Sequence, residues 1–221
     1  MVPTSREILI GTGERLFADH GINGISLRQI NAEAGQRNTG AVRYHFGDRD
    51  GLVRAIFESR LPRVNDYRRQ LLTEIDKGDE PETTHDLVEA FVLPLARELE
   101  YGRYVGFLNR LNHHTRRTHP MRALDPLLTA TTDETLTRLA ARVPDRTRQA
   151  RGRRVGLMTD FVISALDNEH VRKQQDRIPI SAASLTPFVN ELVALSVAMI
   201  ETSIAAPQPV RLVRSGDPQE P

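Results

Sequence analysis

The chain of 221 residues contains no cysteine, which excludes a disulfide framework, thiolate zinc sites and thiol nucleophiles, and is compatible with a reducing compartment. Charge of one sign is also missing: 30 Lys and Arg face 29 Asp and Glu, for a formal net charge of +1. A general nucleic-acid coat would be strongly basic, so any contact with nucleic acid has to be local. Two of the cations, Lys77 and Lys173, are lysine and the other 28 are arginine, spread along the whole chain, so the arginine count by itself argues nothing. No apolar run has membrane-spanning length. The longest, Leu192 to Ile200, is interrupted by Ser196 and followed by Glu201, short of the roughly 20 residues a span requires. The first fifteen residues carry charge and glycine and do not look like a signal peptide, so a cytoplasmic protein without membrane association is expected. β-Branched residues never alternate over a useful length, and there is no phosphate loop, nucleophile motif or dinucleotide fingerprint. An enzyme would need an active site without a local signature, and no cofactor is implied.

What is present is helical periodicity, and with 39% hydrophobic residues the chain can bury a substantial core. Thr4 or Ser5 can cap a first helix reaching His20, in which Leu9, Gly13, Leu16 and Phe17 share a face. Gly21 ends it. Ser26 followed by Gln29 forms a capping box that starts a second helix, with Leu27, Ile30 and Ala34 on one side. Gly35 can adopt the left-handed conformation that stops it. A third helix is expected from Arg37 to His45, followed by Gly47, a cap at Asp48, and a fourth helix carrying Leu52, Val53, Ile56, Phe57 and Leu61 to about Asp76, with Pro62 inside it.

Two short helices joined at a glycine, the second polar at its start and aromatic at its end, read as a helix-turn-helix. A helix entering the major groove needs small or polar side chains at its N-terminal end, and Arg37, Asn38, Thr39 and Gly40 meet that need. Arg43 lies one turn beyond Thr39 and could take a guanine edge bidentately or a phosphate. Ser26 and Arg28 at the start of the second helix, and Arg49 at the start of the fourth, are placed to flank the groove.

Beyond the KGDEPETT linker, residues 77 to 84, amphipathic segments are expected at about 85–99, 101–117, 121–142 and 146–172. The loop RIPISAAS precedes a last helix at 184–205. Tyr101, Tyr104, Phe107, Leu108 and Leu111, with Met121, Leu124, Leu127 and Leu128, could line an apolar cavity, with Met158 and Phe161 beside them and Arg103, Asn109 or Arg110 as polar handles. The same residues could equally be plain core. Met158, Phe161, Val162 and Ala165, together with Phe188, Val189, Leu192, Leu195, Ser196 and Met199, give the last two helices more apolar surface than one core needs. A homodimer interface would use it. His113, His114 and His119 have poor metal-ligand spacing and no acidic partner one turn away, so no metal site is expected. The arginines from Arg148 to Arg154 could touch DNA or a nucleotide phosphate, but read more readily as the solvated end of a helix.

The order LFADHG, INGISLRQINAEAG, NTGAVRYHFGDRDGLVRAIF resembles the DNA-binding domain of TetR-family transcriptional regulators over about the first 60 residues. Its segment between Gly35 and Phe46 is one residue longer than the commonest version of the motif. The resemblance implies that Tyr44 and His45 clamp the DNA backbone while Val42 and Phe46 face the small core, and that the last two helices dimerise as a four-helix interface. It implies an all-α fold of about nine helices, with a helix-turn-helix domain over 1–47. A helical effector-binding and dimerisation domain follows over 48–206, its connecting helix at 48–76, and then a disordered tail at 207–221. The expected function is a homodimeric, sequence-specific regulator, most often a repressor, that binds a palindromic operator in double-stranded DNA and is released by a small, largely apolar effector. A helical small-molecule-binding or catalytic protein whose helix-turn-helix is only structural is the alternative.

Overall fold

The computed structural model describes residues 3–114, 125–145 and 147–203. Met121, Leu124, His119, the side chains of His113 and His114, and the tail from 207 lie outside the described residues. Nine helices and no strand occur among the described residues: α1 (Ser5–His20), α2 (Leu27–Glu33), α3 (Ala41–Phe46), α4 (Arg49–Lys77), α5 (Thr84–Glu98), α6 (Tyr104–His114), α7 (Pro126–Arg142), α8 (Arg148–Gln175) and α9 (Ala182–Glu201).

Side-chain caps start most of them, satisfying backbone donors that a helix leaves unpaired in its first turn. Thr4 and Glu7, Ser26 and Gln29, and Thr83 and Asp86 form reciprocal boxes ahead of α1, α2 and α5. The Asp48 carboxylate accepts the Gly51 N–H at 2.8 Å ahead of α4. Gly35 ends the α2 turn at φ +63°, a conformation that costs a side-chain-bearing residue energy.

One apolar cluster runs through α1 to α9. Leu9, Gly13, Leu16 and Phe17 form the buried stripe of α1. There a Cβ added to Gly13 would sit 3.0 Å from Leu52 Cδ2, so the glycine is what lets α4 approach. Phe17 stacks on Phe107 of α6 with ring centroids 6.3 Å apart, and Phe107 meets Phe57 of α4 edge-on at 5.3 Å. The N-terminal helices are thereby joined to the rest through aromatic contacts as well as through the chain. α5 is the central helix, in contact with α4, α6, α7, α8 and α9. α9 is long and apolar enough to cross a membrane by length and composition, but it packs on α5 and α8 with Leu185, Val189, Leu192, Val193, Ser196 and Ile200 buried.

Arg68, on α4, is buried, donates to the Ala90 carbonyl and the Thr132 hydroxyl, and lies over Phe91. Burial lowers its pKa to about 10.

Several side chains expected to line a cavity are core. Tyr104, Phe107, Leu108, Leu111 and Met158 are buried in the common cluster, with Leu128 and Phe161 half-buried against it. Leu127 is exposed, and Tyr101 is exposed beneath the Arg63 guanidinium, 4.1 Å from its ring centroid. The polar handles have other duties. Arg110 donates to the Ala18 carbonyl, Asn109 bridges Asp167 and Ser164, and Arg103 lies 3.4 Å from Asp19 and 3.2 Å from Asp167. Among the described residues a cleft of about 470 Å³ opens instead between α4, α5 and α9, walled by Tyr67, Leu93, Ala96, Arg97, Leu185 and Val189.

The expected dimer residues divide in two. Met158, Val162, Val189, Leu192 and Ser196 point into the core of their own chain, a correction that follows from both helices packing on their neighbours. Phe161, Ala165, Phe188 and Met199 are half-buried, and Leu195 is exposed. Leu157, not expected from the sequence, joins this outer face of α8 with 58% of its surface exposed. In the arginine cluster, Arg151 and Arg154 hold Asp145, while Arg148 and Arg153 are exposed.

Candidate nucleic-acid interface

The helix-turn-helix is a short unit whose two helices are tied by one buried side chain. Asn31, on α2, is 2% exposed. Its Nδ2 donates to the Thr39 carbonyl at 2.6 Å, and its Oδ1 accepts the Val42 N–H at 3.0 Å. Both groups belong to the turn and first residues of α3, where a helix has no partners of its own to offer. Asn38 adds a local bond, its Oδ1 accepting the Gly40 N–H at 2.8 Å. Helical structure therefore begins at Ala41 and not at Arg37, and Arg37, Asn38, Thr39 and Gly40 form the turn ahead of it.

From Ala41 the alternation of burial gives α3 two faces. Ala41 and Val42 are buried, and Phe46 is half-buried against the core with the Arg6 guanidinium 5.4 Å above its ring. Arg43, Tyr44 and His45 are exposed, Tyr44 at 83%, its ring edge-on to His45 at 5.0 Å. With Arg37, Asn38 and Thr39 also exposed, the surface offers guanidinium, amide, hydroxyl and aromatic groups side by side. This chemistry suits base edges and phosphates.

Three flanking residues resolve differently. Arg28 is exposed beside the N-terminus of α2. The Ser26 hydroxyl is committed to its cap, accepting the Gln29 N–H at 3.2 Å and donating to Gln29 Oε1 at 2.8 Å. Arg49 is not a groove-flanking cation. Its Nη1 donates to the Ile22 and Ile25 carbonyls and its guanidinium lies 5.9 Å from the centre of the Phe17 ring, so it fastens the α1–α2 connection. An arginine directly after a helix cap reads as surface in sequence; the carbonyls it satisfies lie 24 and 27 residues earlier.

An all-helical chain whose N-terminal helices present an exposed, polar and aromatic second helix of a helix-turn-helix has the architecture found in DNA-binding transcriptional regulators. Residues 9–56, from the core stripe of α1 to the first turns of α4, match the family model of the bacterial regulatory proteins of the tetR family. The structure resembles that of AmtR from Mycobacterium smegmatis, with a TM-score of 0.54 and 18% identity over 92% of this chain and 89% of that one. A TetR-family transcriptional regulator from Mesorhizobium loti gives a TM-score of 0.50 and 16% identity, over 89% and 93% of the two chains. No curated protein matches significantly. The head of the chain thus matches the tetR-family DNA-binding domain, and the fold of the whole resembles that of proteins built on the same plan.

Proposed function

We propose that the protein is a homodimeric repressor that binds a palindromic operator through Arg37, Asn38, Thr39, Arg43, Tyr44 and His45 and leaves it when a small, largely apolar effector binds. The observation that carries this reading is the division of α3, with Val42 fully buried and the adjacent Arg43, Tyr44 and His45 exposed. Such a helix is held by one side and offered by the other. In this reading residues up to 47 form the DNA-binding unit, those from 48 to 206 the effector-binding and dimerisation unit, and the protein works in the cytoplasm. One recognition helix reads only a few base pairs, so two are needed, about 34 Å apart along one face of the duplex. The outer apolar residues of α8 and α9 support a dimer that supplies the second copy. The effector acts by binding more tightly to a state in which the two heads no longer fit adjacent grooves.

The test is a selection of duplexes from a random pool by the full-length protein, followed by fluorescence anisotropy on the selected sequence and a shuffled control. Wild type should enrich a palindrome. Arg43→Ala should weaken binding to it by about 10- to 100-fold and relax preference at one position per half-site if the guanidinium reads a base. If it holds a phosphate instead, loss should be uniform across sequences and the salt dependence shallower by about one unit. A wild-type protein that enriches no sequence would overturn the reading.

A further inference from the structure

We propose that Asn31 is a specificity-determining positioning residue: by clamping the Thr39 carbonyl and the Val42 N–H it sets the pitch and depth of α3, and with it the alignment of Arg43 on the bases. The inference rests on the DNA-binding reading of α3 and adds a residue that never touches DNA.

Three observations carry it. The first is the bonding pattern. Asn31 uses donor and acceptor together, 2.6 Å to one backbone group and 3.0 Å to another three residues further on, so the amide fixes the turn in two places at once. Asparagine is the side chain that offers both functions on so short a stem.

The second is that little else holds the start of this helix. α3 is six residues long and its N-cap, Gly40, provides no side chain. Of the first N–H groups, that of Ala41 reaches the Asn38 carbonyl, and that of Val42 reaches Asn31 alone among the hydrogen bonds described. So short a helix does not hold its shape by its own ladder.

The third is burial. At 2% exposure, neither amide group can exchange its partner for water without opening the α2–α3 contact. Ile30 beside it and Val42 above it are fully buried, so the clamp sits in a packed seam and not in a loop free to adjust.

Positioning differs from mere stabilisation in what it changes. A base contact is worth its full discrimination only when the donor fork meets the base edge in register, whereas attraction to phosphates tolerates small displacements and follows charge and salt. Loosening the clamp should therefore lower selective binding far more than general binding. Asn31→Ala removes both bonds; Asn31→Asp keeps the acceptor for Val42 but sets a carboxylate oxygen against the Thr39 carbonyl.

The experiment measures affinities of the full-length protein for the selected palindrome and for the shuffled duplex, across salt, in wild type and both variants, with melting temperature and far-ultraviolet dichroism alongside. Expected is a fall of about tenfold or more in the ratio of selective to general affinity, with general affinity and its salt slope kept and the variants folded at the assay temperature. Unchanged preference in folded Asn31→Ala would overturn the proposal while leaving the DNA-binding reading intact. A wild type with no preference would remove both. Should the variants not fold, amide hydrogen exchange on the wild type still decides: the Val42 N–H should be protected at least as well as those of the later α3 residues, and free exchange there would refute the clamp.

Discussion

His170, on α8, is 3% exposed and neither ring nitrogen has a hydrogen-bond partner among the described residues. Desolvation, and then the nearby Arg103 charge, pull its pKa below the ordinary 6.5, against the weaker opposing influence of Asp167 and Asp19. The native protein thus refuses a proton that the unfolded chain accepts once the pH falls below about 6.5. Any stability due to the neutral ring is complete above that value and is lost as pH falls towards the depressed native pKa. His170→Leu, close in volume and without unpaired nitrogens, should leave stability at neutral pH unchanged or raise it by about 1 kcal/mol. Melting curves from pH 7 to roughly pH 5 should fall less steeply in the variant than in wild type. Parallel curves would show that the ring is not the acid-sensitive group. Nothing in the local sequence SALDNEHV marks this histidine as buried, since its neighbours Asn168 and Glu169 are polar and two of the charges around it, Asp19 on α1 and Arg103 just ahead of α6, are distant in sequence. Arg43 and Tyr44 were legible for the opposite reason. They belong to one short local motif, whose resemblance to the TetR-family domain implied that Val42 and Phe46 face the core and Tyr44 and His45 face outward.

Helix starts follow the same division between local and distant causes. The Ser26–Gln29 box and the Asp48 cap lie within three residues of the backbone groups they satisfy, and α2 and α4 begin where sequence places them. α3 begins four residues later than its polar start implies. Its turn is shaped by Asn31, which bonds eight and eleven residues ahead. The attachment of α1 to the body is less visible still. Glu14, buried in an otherwise apolar face, accepts two bonds from Arg60 of α4 at 2.6 and 3.0 Å and the Arg103 N–H at 2.9 Å, 89 residues away in sequence. Removing one member of a buried pair leaves the other charge uncompensated. Glu14→Ala should therefore cost about 3–5 kcal/mol in chemical denaturation, while Glu14→Gln, whose single amide oxygen can keep the Arg60 Nη2 and Arg103 N–H bonds but loses the one from Arg60 Nε, should cost less. Equal losses would mean that the carboxylate charge itself, and not the packing and hydrogen bonds that Gln retains, holds α1 against α4.

Assembly follows from what the core leaves uncovered. α8 and α9 bury one side each within the chain, and their outer flank carries Leu157 at 58% exposure, Leu195 at 49%, and the half-buried Phe161, Phe188 and Met199. Sequence periodicity counted all of these but Leu157, and could not separate those the chain buries in its own core from those it leaves outside, because α5 and the other neighbours that cover the inner side are distant in sequence. In the proposed dimer a two-fold copy of the chain would cover these residues. Phe161→Glu combined with Leu195→Glu places two like charges on that flank, with a desolvation cost that the partner cannot relieve. Sedimentation velocity should then report a monomer whose helical content is unchanged. Its affinity for the palindrome should fall on the order of 100-fold or more, towards that of a single head, because the second half-site no longer binds as an intramolecular event. Inserting about five base pairs between half-sites, half a turn of duplex, should weaken wild type strongly and the variant hardly at all. A variant that stays dimeric, or a wild type indifferent to the insertion, would move the interface away from α8 and α9 and with it the geometry by which two α3 helices meet one operator.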